Sequence, residues 1–180
     1  MVTGGHTEEC GMRSLADDLE RVYREDRQAL FTCALAVTRS VDRAEDALQE
    51  AFCRLFRMEE RPRRLRAYVF RAVRNAALDQ VRRGPRPAQD LDESVFDPAP
   101  GPAAAAEEAE FGRRAAAELL ALGDDEREVI VQHLYGGLTF REIAEVRDVP
   151  LGTAAAWYRR GLMKLRSRLE ECPWIRSRND

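Results

Sequence analysis

An uninterrupted helical repeat of apolar residues restricts most strongly what this chain can fold into. Between residues 44 and 55, apolar side chains recur at i, i+3, i+4, i+7, i+8 and i+11: Ala44, Ala47, Leu48, Ala51, Phe52 and Leu55. A second stretch, from Leu65 to Val81, repeats at three and four residues in the same way, and no alternating strand pattern of useful length occurs. Because this spacing gives each helix one apolar face, the chain is predicted to be all-α.

A proline-rich stretch divides the predicted helices into two groups. Five of the eight prolines lie between Gly84 and Pro102, where no sustained period is found and acidic residues are frequent. This composition is typical of a linker. We therefore predict two small helical bundles joined by a flexible linker, with expected bounds at residues 12–84, 85–102 and 103–172.

The second bundle is predicted to contain a helix-turn-helix. Thr139 and Glu142 form a capping box, and Pro150 marks the turn before a second helix of about residues 152–171. An ordinary helical hairpin shares the apolar pattern, but cations on the outer face favour insertion into a major groove. We expect the second helix to bury Ala154, Tyr158, Gly161, Leu162, Leu165 and Leu169. We expect its outer face to contact DNA through Thr153, Trp157, Arg159, Arg160 and Lys164.

The charge is unevenly distributed along the chain. The formal net charge is −3, yet residues 54–86 hold eleven arginines against three acidic residues, and residues 139–180 hold nine basic residues against six acidic ones. Residues 87–112 between them have seven acidic residues and no basic one. Two basic segments separated by an acidic one favour two contact surfaces for a polyanion, although solvated arginine-rich helices are also common.

Two separate motifs give the chain a family resemblance. The segment Leu138–Glu145, with Pro150–Thr153 after it, resembles region 4 of bacterial sigma factors. The segment Ala44–Phe52 resembles the region 2 signature, and Tyr68–Asp79 resembles the promoter-melting segment of the same region. Their order, with a linker between them and no room for regions 1 or 3, is similar to the compact extracytoplasmic-function (ECF) class of the sigma-70 family.

The resemblance implies a role for an acidic surface on the helix that begins near Ala44. Three acids and one amide lie opposite its apolar stripe: Glu45, Asp46, Gln49 and Glu50. In the family this surface docks on the coiled coil of the polymerase beta-prime subunit, where charge complementarity fixes partner and register. The resemblance also implies contact with the polymerase beta flap and with an anti-sigma factor. Without it, a solvated helix face would be the simpler interpretation.

The resemblance implies a second, DNA-binding set around the next helix. Arginines can follow phosphates, Asn75 offers a donor and an acceptor, and Tyr68 and Phe70 can stack unpaired bases, although the apolar repeat favours core burial for Tyr68 itself. The full set in this half of the chain is Arg63, Arg64, Tyr68, Arg71, Arg74, Asn75, Arg82 and Arg83. In region 4, residues 154–157 read Ala-Ala-Ala-Trp where the family has polar side chains, which leaves −35 readout to few side chains or to DNA shape.

Other classes of protein fit the sequence less well. No nucleophile–base pair is evident, His6 and Cys10 have no nearby histidine to complete a metal site, and neither an enzyme nor a cofactor is expected. The alternative is a two-domain helix-turn-helix regulator that does not act as a sigma factor. Four cysteines without a C-x-x-C pair predict buried thiols. The absence of a long apolar run or a signal sequence predicts no membrane insertion and a cytoplasmic location.

Overall fold

Every regular element that the structure describes is an α-helix. This computed structural model describes residues 14–84 and 105–170, with side chains described from residue 111 onward in the second range. The predicted all-α class is confirmed. The helices are α1 (Leu15–Thr38), α2 (Val41–Leu55), α3 (Leu65–Arg82), α4 (Ala105–Leu120), α5 (Asp124–Leu134), α6 (Phe140–Arg147) and α7 (Leu151–Glu170).

The N-terminal bundle consists of α1, α2 and α3, each of which packs against the other two. α1 begins at a capping box in which Ser14 and Asp17 exchange hydrogen bonds, and it ends at Arg39, whose φ of 52° is left-handed. The apolar stripe of α2 is buried as predicted, and small residues let the helices approach closely. The buried side chains of α2 are Ala44, Ala47, Leu48, Ala51, Phe52 and Leu55.

The C-terminal bundle consists of α4, α5, α6 and α7. α5 packs against α6 and α7, and α4 packs on α7. Seven consecutive residues of α5 are buried, from Glu126 to Gln132, and four of them are polar or charged. α7 approaches α5 closely at Gly161, where an added Cβ would lie 2.6 Å from Ile130 Cδ1. Glycine at this position is therefore a packing requirement.

The helix-turn-helix prediction is confirmed at the level of local structure. Thr139 caps α6 with the predicted capping box, and Asp148 ends it with a left-handed φ of 56°. Pro150 precedes α7, which buries Ala154 and Gly161 as expected. The prediction that Leu162 is buried is wrong, since it is 37% exposed. Gly161 already faces α5, and one residue further turns the side chain by about 100° around the helix.

The two bundles pack against each other, which the sequence did not indicate. α1 contacts α5, and α3 contacts α6. The predicted linker, residues 85–102, lies outside the described residues, so its flexibility stays a prediction. Cys33 is buried as expected and burial raises the pKa of its thiol, but the expectation for Cys53 is wrong because its side chain is exposed. His6, Cys10 and Cys172 lie outside the described residues.

Candidate nucleic-acid and partner interfaces

The four residues of the predicted partner surface form a ridge on the side of α2 opposite its buried stripe. We call Glu45, Asp46, Gln49 and Glu50 the acidic ridge. Glu45 and Gln49 are exposed, whereas Asp46 and Glu50 are half-buried. The helical spacing i, i+1, i+4 and i+5 thus places a compact anionic surface on the N-terminal bundle, as predicted.

One end of the acidic ridge is tied to α3. Glu50 accepts hydrogen bonds from Arg54 at 2.5 Å, Arg83 at 2.9 Å and the Gln80 amide at 3.2 Å. The hydrogen bond from Arg83 is the main cause that holds the pKa of the Glu50 carboxyl below its usual value. Arg83, one of the predicted phosphate contacts, is therefore engaged within the bundle, and the charge of Glu50 is partly neutralised.

An apolar groove that the sequence analysis missed runs beside the acidic ridge. Its floor is aromatic. The ring centres of Tyr23 and Phe52 are 4.8 Å apart in an edge-to-face arrangement, and those of Phe52 and Phe56 are 6.1 Å apart. The groove encloses about 780 Å³, and Gln49 of the ridge lines its edge. The periodicity placed Tyr23 in the core stripe. The groove could have been predicted from Phe56, which lies four residues after Phe52 and extends the apolar stripe of α2 to the end of the helix.

Three predicted DNA-contacting residues of α3 share one cleft. Tyr68, Arg71 and Asn75 follow one another at i, i+3 and i+7, and with Leu55 and Met58 they line about 540 Å³. Tyr68 is 41% exposed, so the expectation of core burial, which the apolar repeat favoured, is wrong. This cleft presents an aromatic ring, a cation and an amide to solvent, which is the chemistry that holds an unpaired base.

Phe70, the other predicted stacking residue, cannot reach a base in this structure. Its side chain is buried, and the guanidinium of Arg66 lies 5.1 Å from its ring centre. Residue 70 is two positions from Tyr68, which places the two rings on different faces of α3. Phe70 therefore belongs to the core.

The predicted phosphate-binding arginines of the N-terminal bundle divide into two groups. Arg63 and Arg71 are exposed, and Arg82 is exposed beside Asp79 at 3.5 Å. The other group is engaged by carboxylates, since Arg83 pairs with Glu50, Arg64 with Glu145 at 2.5 Å, and Arg74 with Glu128 at 2.6 Å. The last two pairs cross between the bundles.

The predicted DNA-reading residues lie on α7 of the helix-turn-helix. Thr153 and Trp157 are half-buried near its start, and the Arg147 guanidinium lies 4.8 Å from the Trp157 ring centre. Such a cation–π contact holds the indole in place. Pro150 immediately before α7 and Leu151 and Gly152 in its first turn are exposed. The leading turn of α7 is thus accessible and apolar.

The basic side chains of α7 differ in their surroundings. Arg159 is exposed. Lys164 donates to both carboxylate oxygens of Glu126, at 2.7 and 2.8 Å, and Arg160 lies 3.6 Å from the same carboxylate. Both side chains stay about half exposed. Glu126 of α5 therefore engages two of the three predicted cations of α7.

Within residues 14–84 and 105–170, no group of three or more histidine, cysteine or carboxylate side chains is placed to hold a metal ion. None of the helices described in these ranges is long and apolar enough to cross a bilayer.

Two known protein families match this chain, one after the other along the sequence. Residues 22–86 match Sigma-70 region 2, and residues 119–167 match Sigma-70, region 4. The first match contains the acidic ridge and the α3 cleft, and the second contains the helix-turn-helix. Together the two matches cover more than half of the chain.

Individual relatives agree with these matches. The ECF RNA polymerase sigma factor SigE of Mycolicibacterium smegmatis is 28% identical over 156 residues, which are 83% of this chain and 61% of that protein. The probable RNA polymerase sigma factor RfaY of Xanthomonas campestris pv. campestris is 28% identical over 156 residues, 82% of this chain and 38% of that protein. The chain thus spans less than two thirds of either relative.

A solved structure shares the fold. The sigma factor RpoE from Bartonella quintana, in a co-crystal structure with the anti-sigma factor NepR, superposes with a TM-score of 0.64. The match covers 86% of this chain and 98% of that one, at 24% sequence identity.

Proposed function

The chain belongs to the ECF class of the sigma-70 family, and from this membership we propose that it binds core RNA polymerase and directs it to specific promoters. One observation carries the proposal: the N-terminal bundle presents an acidic ridge on α2 and a base-sized cleft on α3, and the C-terminal bundle adds a helix-turn-helix. A protein with these three surfaces can hold the enzyme, unpaired DNA and duplex DNA. The chain acts as an initiation factor rather than an enzyme, in the cytoplasm where transcription takes place.

The acidic ridge is proposed to bind the beta-prime coiled coil, and the apolar groove continues that surface. Charge sets partner and register in such contacts, while apolar burial supplies much of the affinity. Replacing Glu45, Asp46 and Glu50 with lysine should abolish pull-down of core polymerase while helicity is retained. The same variant should also fail to support transcription of a promoter library by purified core enzyme.

A charge-matched variant controls for the change of six charges. Glu25, Glu118 and Glu170 lie on α1, α4 and α7 rather than on α2, and lysines at these positions should leave polymerase binding within about twofold, because screened surface charges contribute little. Undiminished pull-down by the folded ridge variant would remove the docking assignment. Promoter binding without any polymerase-dependent transcription would instead favour a helix-turn-helix regulator.

The two DNA surfaces are proposed to act at different steps. The α3 cleft with Tyr68, Arg71 and Asn75 holds melted −10 DNA, and α7 contacts the −35 duplex. Asn75→Ala should spare duplex binding but reduce permanganate-reactive thymines near the start site. Alanine at Arg159 and Arg160 should weaken duplex binding. It should also make the slope of the logarithm of the binding constant against the logarithm of salt concentration shallower by about one unit per lost phosphate contact.

A pre-melted template separates these two steps. A promoter with an open bubble should restore transcription by the Asn75 variant but not by the variant of the two α7 arginines. Equal rescue of both variants, or of neither, would contradict the assignment of melting to the N-terminal bundle.

Regulation by an anti-sigma factor also belongs to the proposal. It is supported by the fold shared with a sigma factor that was crystallised with such a partner. The proposed units are residues 12–84 and 103–172, joined by a flexible 85–102, and the contact of residues 103–172 with the beta flap is part of the same proposal. Proteases of broad specificity should cut first within 85–102.

A further inference from the structure

The helix-turn-helix exposes a large apolar side chain where its second helix begins. Leu151 is the first residue of α7, directly after Pro150, and it is 51% exposed. When such a motif enters a major groove, the N-terminal residues of the second helix are the ones that contact base edges. Leu151 is therefore placed where the sequence of a bound duplex would be read, and its side chain has neither a hydrogen-bond donor nor an acceptor.

The helical repeat continues this face of α7 with a small and then a basic residue. Ala155 follows Leu151 at i+4 and Arg159 follows it at i+8, with Gly152 and Ala156 beside them. Gly152 is exposed, and an added Cβ there would meet nothing within 4 Å. Because the side chains of this face are short after Leu151, the helix backbone can approach base edges closely.

Two side chains in the same turns carry polar atoms, but they lie to the sides of this face. Residue 153 is turned by about 200° around the helix from Leu151, and Thr153 is half-buried. Trp157 is also half-buried, and the guanidinium of Arg147, 4.8 Å from its ring centre, holds the indole against α6. Across the first two turns of this described helix, the face that Leu151 begins thus presents apolar groups.

The charged groups of α7 supply attraction to DNA without distinguishing its bases. Arg159 is exposed, and Arg160 and Lys164 stay about half exposed beside Glu126. In the proposed function, Arg159 and Arg160 contact phosphates, and such contacts fix the register of a protein on DNA but carry no sequence information directly. Base discrimination by the first two turns of α7 then comes from apolar contact or from DNA shape.

We propose that Leu151 and Ala155 determine the specificity of α7 by contacting the 5-methyl groups of thymines in the −35 duplex. The proposal rests on the proposed function for the placement of α7 in that duplex. Thymine carries a methyl group in the major groove that cytosine lacks. Moving this group out of water against an apolar side chain is favourable. The preferred −35 elements therefore carry thymines opposite the first two turns of α7.

The test measures binding of the full chain to a fluorescein-labelled duplex of about two helical turns. The wild-type chain first selects this duplex from a pool of random sequence, and the duplex is then made again with deoxyuridine in place of every thymine. This exchange removes the methyl groups and keeps the base pairs. Fluorescence anisotropy at low salt should show weaker binding of the deoxyuridine duplex, by about threefold for one contacted methyl group and about 10-fold for two.

Leu151→Ala identifies the side chain that makes the contact. This variant should lose about threefold of the discrimination between the two duplexes, because Ala155 alone then contacts a methyl group. Met163→Ala is the matched control. Met163 is 70% exposed on the same helix but lies about 18 Å further along its axis, so this variant should keep the wild-type discrimination. Leu151→Gln should shift the selected pool towards adenine, since an amide side chain pairs with the adenine edge.

Equal affinity of the wild type for the two duplexes, or a selected pool without enriched thymines, would mean that DNA shape sets the preference of α7, and would overturn the proposal. Undiminished discrimination by Leu151→Ala would overturn it as well. Transcription with core polymerase tests the proposed function separately. A wild type that distinguishes the duplexes but supports no transcription would remove the promoter role and keep the methyl contact, and an active wild type with equal affinities would do the reverse.

Discussion

The two bundles build their central helices from different chemistry. All six buried residues of α3 are apolar: Ala67, Val69, Phe70, Val73, Ala76 and Ala77. The seven buried residues of α5 include Glu126, Arg127, Glu128 and Gln132. Both helices also meet the other bundle, α3 at α6 and α5 at α1. The polar burial in α5 accompanies the Arg74–Glu128 pair and the hydrogen bond from Arg127 to the Ala36 carbonyl, which both cross between the bundles.

Arg127 shows what allows a cation at such a position. Its side chain is 1% exposed, and burial lowers the pKa of its guanidinium, yet each guanidinium nitrogen donates a hydrogen bond. They reach the carbonyls of Ala36, Leu120 and Leu122 and the carboxylate of Asp124. Carbonyls near the ends of α1 and α4 lack intrahelical partners and carry partial negative charge, so the arginine stabilises both helix ends.

The largest effect expected from this difference follows loss of the Arg127 guanidinium. Arg127→Met keeps most of the volume but leaves three carbonyls without their donor, and should cost about 3–5 kcal/mol of unfolding free energy. Urea titration would measure it. Both tryptophans lie at or after residue 157, so fluorescence reports the C-terminal part while far-UV circular dichroism reports both bundles. A loss below about 1 kcal/mol would show that the polar centre is dispensable.

A smaller effect tests whether α5 is packed as tightly as the alanine-rich N-terminal bundle. Gly161→Ala would push a methyl group against Ile130 and the Glu126 Cβ, 3.2 Å away, and should cost about 1–3 kcal/mol by urea titration. Gly152→Ala in the same helix has nothing within 4 Å of the added Cβ and should be neutral or slightly stabilising. Equal stabilities of the two variants would indicate a loose contact between α5 and α7.

The capping boxes give a matched comparison, one in each bundle. Ser14 caps α1 and Thr139 caps α6, each with a carboxylate three residues on. Alanine at either position should cost about 1 kcal/mol in thermal or urea unfolding. The Thr139 change should have the larger effect because α6 has only 8 residues and α1 has 24. The opposite order would mean that tertiary contacts, rather than the cap, hold α6.

The smallest effect concerns the pH dependence contributed by the acidic ridge. The hydrogen bond from Arg83 lowers the pKa of Glu50 below 4.5, so this carboxylate stabilises the fold above that pH. The contribution is lost as the pH falls through the lowered value. The stability difference between wild type and Glu50→Gln should therefore shrink on acidification, as followed by urea titration at neutral pH and below pH 4.5. A difference that grows in acid would contradict the assigned ion pair.

Local signals in the sequence predicted most of the helices. The apolar repeat in α2, the Thr139 capping box and Pro150 each act within a few residues, so their structural consequences can be inferred without the rest of the chain. The exposed members of the acidic ridge follow from the same helical spacing, whereas the apolar repeat placed Tyr68 in the core rather than in a cleft with Arg71 and Asn75. The roles of these residues in binding remain predictions.

Contacts between distant segments could not be predicted in this way. Arg74 and Glu128 are separated by 54 residues, and the arginine looks like any other phosphate-binding candidate until its partner is placed beside it. Burial of Glu126 and Arg127 likewise contradicts the usual preference of charged residues for solvent, because Glu126 packs against α7 and Arg127 reaches the end of α1. Periodicity also gives no information on which of two apolar faces stays open, as at Tyr23 and Leu162.

The hydrogen bond from Arg127 to the Ala36 carbonyl has a consequence for protein engineering. Exchange of domains between related proteins assumes that each domain folds in the same way whichever domain is joined to it. Here the end of α1 receives a donor from a residue 91 positions later, and that donor is itself concealed by α1. A chimaera whose C-terminal half lacks an arginine at position 127 would leave the α1 carbonyl without this donor. The arginine has to be kept, whereas residue 36 can vary because its backbone supplies the acceptor.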